Sequence, residues 1–600
     1  MRLLLTAALT AVLPSFAAAD ETDDGPTRVA VFELKGTITE LPAAADDPFA
    51  TGATESCASL TRRLRKAATD DDVAAVVVLC ESPAMGWAQS EEIYAAMKAV
   101  REAGKPVYAY DDSYSTAEYA MLAAASKMAT STEGSAIITG IAGAQPFVRG
   151  LLDKLDVEPD FIALGDYKAA GEMFMRREPS EQAAENTKWL YDTLYASVLD
   201  AIADGRDVEV KQAKIWIDEG VFSAKEAIAE GVLDLAVTRD QLADMIEKEF
   251  GDLEFDKKYE VPKQKSIDLS SPFGVLNFYA ELLAGPSDQK SSKPSIAIIH
   301  VNGAIADGEP SSSPLQTSSS GAYSGPIRRA LDKAAADPTV RAVVLRVDSP
   351  GGSATASEVI LQAAKRVREK KPLIVSMGNV AASGGYYVSM AAEEIFVDEK
   401  TITGSIGVVS GKFALTEMWE NIGVNLHPIL RGKNADLMTT LGTFDDEQEE
   451  EMKQYMTDVY GTFKDHVEAN RGEKLTKPID ELAGGRVFAG RQAIELGLAD
   501  KTGTIHDAID AARKAAKLGD DFDLRTIPRP KNFFETLMAD LQPPKKDKNA
   551  PRLSLIEMAT PILEVLDPLH ARAVRDVLMQ AEVMRNCRVG VISPVYVQAQ

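Results

Sequence analysis

Short runs rich in Val, Ile and Ala alternate along this chain with longer stretches whose apolar residues recur at helical spacing. Val29-Ala30-Val31-Phe32, Val76-Val77-Val78 and Val343-Val344-Leu345 are of the first kind, and Ser357 to Lys370 is of the second. Unbroken apolar runs suit strands covered on both faces. Their alternation with amphipathic helices predicts βα units around a largely parallel sheet, so the expected fold class is α/β.

The pattern occurs twice. Val29–Phe32 through Gly36-Thr37-Ile38 matches Ile296–Ile299 through Gly303-Ala304-Ile305, and 303 minus 36 gives an offset of 267. Glu81-Ser82-Pro83 and Glu91 match Asp348-Ser349-Pro350 and Glu358 at the same offset, and Phe222, Ala227, Gly231 and Asp234 match Phe488, Ala493, Gly497 and Asp500 at 266. A register held over that distance is the mark of a tandem duplication. Ahead of the first copy, Arg2, an apolar run from Leu3 to Phe16 and Ala17-Ala18-Ala19 have the layout of a secretory signal cleaved near Asp20. The run is shorter than the roughly 20 residues needed to span a bilayer. Between the copies, Pro272 to Leu283 predicts an amphipathic helix, and Gly285-Pro286-Ser287 to Pro294 a flexible linker. The Ser-rich Gly308 to Gly325 predicts a surface loop. The expected organisation is a signal peptide at 1–19, a first repeat at 20–266, an inter-repeat helix and linker at 267–293, a second repeat at 294–530 and a helical tail at 531–600, with helices over Leu553–Leu566 and His570–Met584. The tail suits packing or oligomerisation, with peripheral membrane contact as the alternative.

Composition narrows the function. The 600 residues carry a formal charge of −26, which excludes a nucleic-acid partner, because phosphate binding needs clustered Lys and Arg. Cys57, Cys80 and Cys587 are too few and too scattered for a disulfide framework. The five histidines stand apart, with no HExxH or CxxC spacing, so no metal and no cofactor are expected. Gly404 to Lys412 fails as a phosphate loop, having Ile406 where glycine is required and Phe413 in place of Ser or Thr.

The candidate chemistry lies where the two copies differ. Gly378-Asn379-Val380-Ala381-Ala382-Ser383-Gly384-Gly385-Tyr386 sets a serine among small residues ahead of a helical run, near backbone N–H groups able to stabilise an oxyanion. The first copy has Thr116-Ala117-Glu118-Tyr119 there, without the serine or the glycines. Lys168, in Gly165-Asp166-Tyr167-Lys168-Ala169-Ala170 and followed by Met173, Phe174 and Met175, has surroundings apolar enough to hold an amine neutral. Its counterpart is Ala435, and Lys433 aligns with Asp166. One copy keeps the serine and the other the lysine, as expected if a single composite site survived duplication. Three other readings stay open: Ser383 as a helix N-cap, a Ser-His-Asp hydrolase built on Ala381-x-Ser383-x-Gly385, and a scaffold or binding module without activity.

Arg346-Val347-Asp348-Ser349-Pro350-Gly351-Gly352, Ala382-Ser383-Gly384-Gly385-Tyr386, Thr403-Gly404-Ser405-Ile406-Gly407 and Gly165-Asp166-Tyr167-Lys168 resemble the signal peptide peptidase A family, also called protease IV, in its long tandem form. The resemblance covers nearly the whole chain. It implies tandem Clp-protease/crotonase-like domains, a Ser383 nucleophile, a Lys168 general base, Ser405 hydrogen-bonded to the lysine, and oxyanion-hole amides around Gly351, Gly352 and Gly384. It also implies remnant signal peptides as substrates, a dome-like homotetramer, and a place on the periplasmic face of the inner membrane. The cleavable-looking N-terminus departs from the family's usual anchor, which leaves peripheral contact or the soluble periplasm. The long stretch of chain between Lys168 and Ser383 allows the pair to form within one chain or between two.

Overall fold

The computed structural model describes residues 27–41, 55–261, 292–310, 321–529 and 589–592. The expected signal peptide, the inter-repeat helix and the two tail helices lie outside the described residues.

In the first half, six strands pair in parallel in the order Leu253–Asp256, Thr27–Thr37, Val73–Ala84, Val107–Tyr110, Lys127–Thr130, Leu235–Ala236. In the second half, Asp523–Thr526, Ser295–Asn302, Val340–Ser349 and Leu373–Ala382 repeat that order, followed by Glu394–Val397 and Lys501–Thr502. The register repeats too. Arg28 pairs with Val73 and, after a shift, Val29 with Ala75; at the corresponding positions of the second copy, Ser295 pairs with Val340 and Ile296 with Ala342 across the same shift. Helices cover both faces, which explains the unbroken apolar runs. The helix Ala354–Arg368 shows how: Ser353 caps it through the Ala356 N–H, and Ala356, Ile360, Leu361, Ala364 and Val367 form its buried stripe.

Several contacts tie the halves together. The strand Glu158–Leu164 of the first half leaves its own sheet and pairs antiparallel with Val408–Ala414 of the second. The buried Arg346, on the strand Val340–Ser349, reaches the other way: its guanidinium donates to Glu40, and to Glu92 at 2.8 Å, both in the first half, and to Ser376 Oγ at 2.7 Å. Asn379 adds a cap across the boundary, its Oδ1 accepting from Ala88 N and Gln89 N at the start of the helix Trp87–Glu102.

Among the described residues, no helix is long and apolar enough to cross a membrane. Sequence alone suggests loops lining apolar specificity pockets near Ser349 to Ala356 and Gly404 to Val409, but these stretches contain the strand Gly351–Ser353, the start of the helix at Ala354 and the start of the strand at Val408. The difference comes from a partner distant in sequence, because Gly351–Ser353 pairs antiparallel with Gly590–Ile592.

Candidate active site

Ser383 ends the strand Leu373–Ala382 and precedes the helix Gly384–Ser389. Its backbone sits at φ 54°, ψ −109°, a conformation costly for a residue with a Cβ, and its N–H donates to Gly404 O at 2.7 Å. The flanking small residues have steric causes: a Cβ on Gly385 would stand 2.5 Å from Ser349 O. Ser383 takes the N-cap position of the helix, but its hydroxyl makes no capping bond.

The hydroxyl meets Lys168 instead. Lys168 Nζ lies 2.7 Å from Ser383 Oγ, 3.0 Å from Ser405 Oγ and 3.1 Å from the Ser405 carbonyl oxygen. All three residues are buried, and they belong to one chain. Burial alone drives the Lys168 amine well below the usual lysine range. Ser405 is also left-handed, at φ 52°, and its N–H donates to Arg486 O at 2.6 Å.

The strand Glu158–Leu164 delivers Lys168, and a pair of glycines that the sequence reading did not single out receives it. Tyr167 N donates to Gly484 O at 2.8 Å and Gly485 N to Ile406 O at 2.8 Å, so the lysine segment and the Ser405 turn grip the same turn between the helix Ile479–Leu482 and the strand Val487–Ala489. A Cβ on Gly485 would stand 2.5 Å from both Lys168 N and Lys168 Cα, and one on Gly165 2.5 Å from Gly484 C. Only glycine permits this approach. Their signal is the Gly-Gly pair after Ala483, whose partner sequence could not name.

Gly351 and Gly352 have φ of 100° and 155°, and a Cβ on Gly352 would stand 2.0 Å from Ile305 O. Gly351 N donates to Ser349 Oγ at 3.2 Å. The strand holding these glycines packs against the helix that begins at Gly384, which brings all three expected oxyanion donors to the neighbourhood of Ser383. The vestigial site is different. Thr116 is buried and its Oγ1 accepts from Gly140 N at 3.0 Å, while Lys433 is exposed and paired with Glu447.

Among the described residues, no histidine is hydrogen-bonded to Ser383. His300 is partly buried beside Glu40 and Arg346 and held neutral, its pKa pushed down to about 4 mainly by desolvation. His506 meets Thr61 Oγ1 at 2.9 Å and His466 meets Glu358 at 3.0 Å. Cys57 and Cys80 are free and buried.

Comparison with known proteins agrees with the duplicated fold. The chain is 30% identical over 464 residues to the chloroplastic serine protease SPPA of Arabidopsis thaliana, covering 77% of this chain and 66% of that one. It is 31% identical over 428 residues to protease 4 of Haemophilus influenzae, covering 70% of this chain and again 66% of the relative. The putative protease slr0021 of Synechocystis is 35% identical over 248 residues, 41% of this chain and 84% of that one. Residues 99–251 and 365–519 each match peptidase family S49, at the spacing of the internal repeat, and the chain belongs to that family.

Proposed function

We propose that the protein is a serine endopeptidase with a Ser383/Lys168 dyad. The observation that carries this reading is the buried amine 2.7 Å from the hydroxyl of a backbone-strained serine, with no carboxylate among the described residues to hold the amine charged. A neutral lysine accepts the serine proton as Oγ attacks a peptide carbonyl and forms the tetrahedral intermediate. The resulting ammonium then gives that proton to the leaving amine. Water repeats the sequence on the acyl-enzyme and releases Ser383. Ser405 orients the amine through its hydroxyl and carbonyl, and the amides around Gly351, Gly352 and Gly384 are the candidate donors to the oxyanion.

The preferred substrates in this reading are remnant signal peptides and similar apolar peptides, cut in the cell envelope at the periplasmic face of the inner membrane or in the soluble periplasm. The family resemblance and the layout of residues 1–19 support this. The chain self-associates in the same reading, as a homotetramer. Residues 422–432 repeat the Lys168 arm at the offset of 267, with Val424, Ile429 and Gly432 matching Val157, Ile162 and Gly165. In the first half that arm is covered by Val408–Ala414, whereas Ile422 and Ile429 are strongly exposed, as an edge awaiting a second copy would be.

The test is hydrolysis by the purified protein of two quenched fluorogenic peptides, one from an apolar signal-peptide core and one charged, of equal length. The reading expects cleavage of the apolar peptide and mass-spectrometric labelling of Ser383 by a serine-directed phosphonate. Labelling elsewhere, or preference for the charged peptide, contradicts it.

A further inference from the structure

The sheet that carries the Lys168 arm contains a strand from the far end of the chain. Its order is Ala322–Tyr323, Ile305–Ala306, Gly351–Ser353, Gly590–Ile592, Val408–Ala414, Glu158–Leu164. Gly590–Ile592 runs antiparallel to Gly351–Ser353, with Gly351 opposite Ile592, Gly352 opposite Val591 and Ser353 opposite Gly590. On its other side Gly590 pairs with Val409. Ala354 N donates to Val589 O at 3.2 Å, and Val589 is buried. The segment therefore fills a gap one strand wide. One wall holds the two candidate oxyanion glycines, the other leads into the arm that delivers Lys168, and the helix after Ser383 packs at its side. Two open edges facing each other beside a nucleophile make a receptor for an extended peptide, bound through main-chain hydrogen bonds and so tolerant of sequence.

We propose that the segment around Gly590–Ile592 is a tethered ligand of the peptide-binding groove, lying where an extended substrate binds and competing with it. The inference rests on the peptidase reading for the identity of the competitor, while occupancy of the groove rests on the strand pairing alone. A tethered segment acts at an effective concentration of around a millimolar, so weak main-chain binding is enough to hold it. A substrate must displace it, and its removal should lower KM by roughly 3- to 10-fold and leave kcat unchanged.

The experiment compares the full chain, a chain ending at residue 588 and full-length Val591→Pro, which cannot keep the ladder. Hydrolysis of the apolar fluorogenic peptide gives KM and kcat. Fluorescence anisotropy gives binding of a labelled synthetic peptide of residues 586–600 to each protein in a Ser383→Ala background. The proposal expects KM to fall in both altered chains, and the labelled peptide to bind them more tightly than the full chain. Equal binding to all three, or none to the truncated chain, overturns it even if no protein hydrolyses the substrate. If KM is unchanged while hydrolysis is robust, it is overturned with the peptidase reading intact. Should the truncated chain not fold, Val591→Pro carries the same comparison.

A separate observation concerns the first half. Cys80, Asp111 and Glu118 come from three segments, and one ligand-capable atom of each lies within 4.8 Å of the others. All three side chains are buried. Asp111 Oδ1 accepts from Ser113 N at 3.0 Å and Glu118 Oε2 from Ser115 N at 2.9 Å, but no N–H or hydroxyl reaches the buried Asp111 Oδ2, and the one donor beside this carboxyl within the cluster is the Cys80 thiol. Among the described residues no Lys or Arg forms an ion pair with either buried carboxylate, and burying acids without a counter-cation is costly. Their counterparts at the offset of 267 are Val347, Gly378 and Gly385, so the cluster occupies the first half's version of the Ser383 pocket.

The geometry points to a divalent-cation site with one thiolate, two carboxylates and an open fourth position, a donor set suited to Zn²⁺ or Co²⁺. Ligand atoms around such an ion stand about 3.3–3.8 Å apart, so the site closes by roughly 1 Å, and binding expels the Cys80 proton. Titrating Co²⁺ into chelator-stripped full chain should give one equivalent of thiolate-to-cobalt charge-transfer absorption. The band should survive Cys57→Ser, vanish in Cys80→Ser and weaken at least tenfold in the isosteric Asp111→Asn. No band with the unmodified chain, or a band that persists in Cys80→Ser, overturns the proposal.

Discussion

Gly485→Ala tests how closely the site depends on backbone contact. Gly485 sits at φ +87°, and the added Cβ would stand 2.5 Å from Lys168 N and Cα, where ordinary contact begins at 3.4 Å. Both atoms are backbone, so no side chain can turn aside. The left-handed conformation costs about 1–2 kcal/mol with a Cβ present. Relieving the clash costs about 1–3 kcal/mol more, by moving the lysine segment roughly 1 Å away from the Ser405 turn. A displacement of that size at a reacting centre is worth about 100-fold in rate. The expectation is therefore a kcat reduced about 100-fold, KM within twofold of the parent, and a lowered melting temperature. Gly484→Ala is the internal control: φ is +73° there, but the nearest atom to an added Cβ is 3.8 Å away. It should share the backbone cost and keep most of the activity. Steady-state kinetics and thermal melts on both variants read the difference. If Gly485→Ala keeps kcat within twofold, or the two variants lose activity equally, the reasoning is refuted.

Three further outcomes are expected. Burial depresses the Lys168 pKa in the folded chain, so between that value and the unfolded value of about 10.4 the unfolded chain holds the extra proton, and stability rises with pH. Lys168→Met should abolish this dependence, its melting-temperature advantage over the parent shrinking from pH 7 to pH 10, while the parent's kcat rises with pH through the depressed value. Ser405→Ala removes the hydroxyl 3.0 Å from the amine but keeps the carbonyl contact, and should lower kcat about tenfold without unfolding the chain, as circular dichroism would check. Arg346→Leu strands the buried Glu40 and Glu92 and should destabilise the chain by about 3–5 kcal/mol in denaturant titration, partly restored by adding Glu40→Gln and Glu92→Gln.

The sequence made the doubled α/β architecture legible because strand spacing and register survived duplication, down to the shared shift after Arg28 and Ser295. The approach of positions 168 and 383 was legible for a different reason: each half keeps one chemical group and has lost the other. What stayed hidden depends on contacts between distant segments. Gly484 and Gly485 look like an ordinary turn until Lys168 is set against them. Gly351–Ser353 reads as loop because its partner strand, Gly590–Ile592, lies near the other end of the chain. Cys80, Asp111 and Glu118 show no ligand spacing, since a cluster assembled from three segments leaves no local motif. Arg346 stands in a recognisable motif, but its partners Glu40 and Glu92 lie in the other half, which periodicity cannot reveal.

The most direct test of the central claim is hydrolysis of the apolar signal-peptide substrate by the parent chain, Ser383→Ala, Lys168→Met and Lys433→Ala, each shown to be folded by thermal melt. The account predicts loss of about 10⁴-fold or more in kcat for the first two variants and parental activity for the third, whose lysine is exposed and paired with Glu447. A folded Lys168→Met that retains parental kcat would contradict it, because the base would then lie elsewhere.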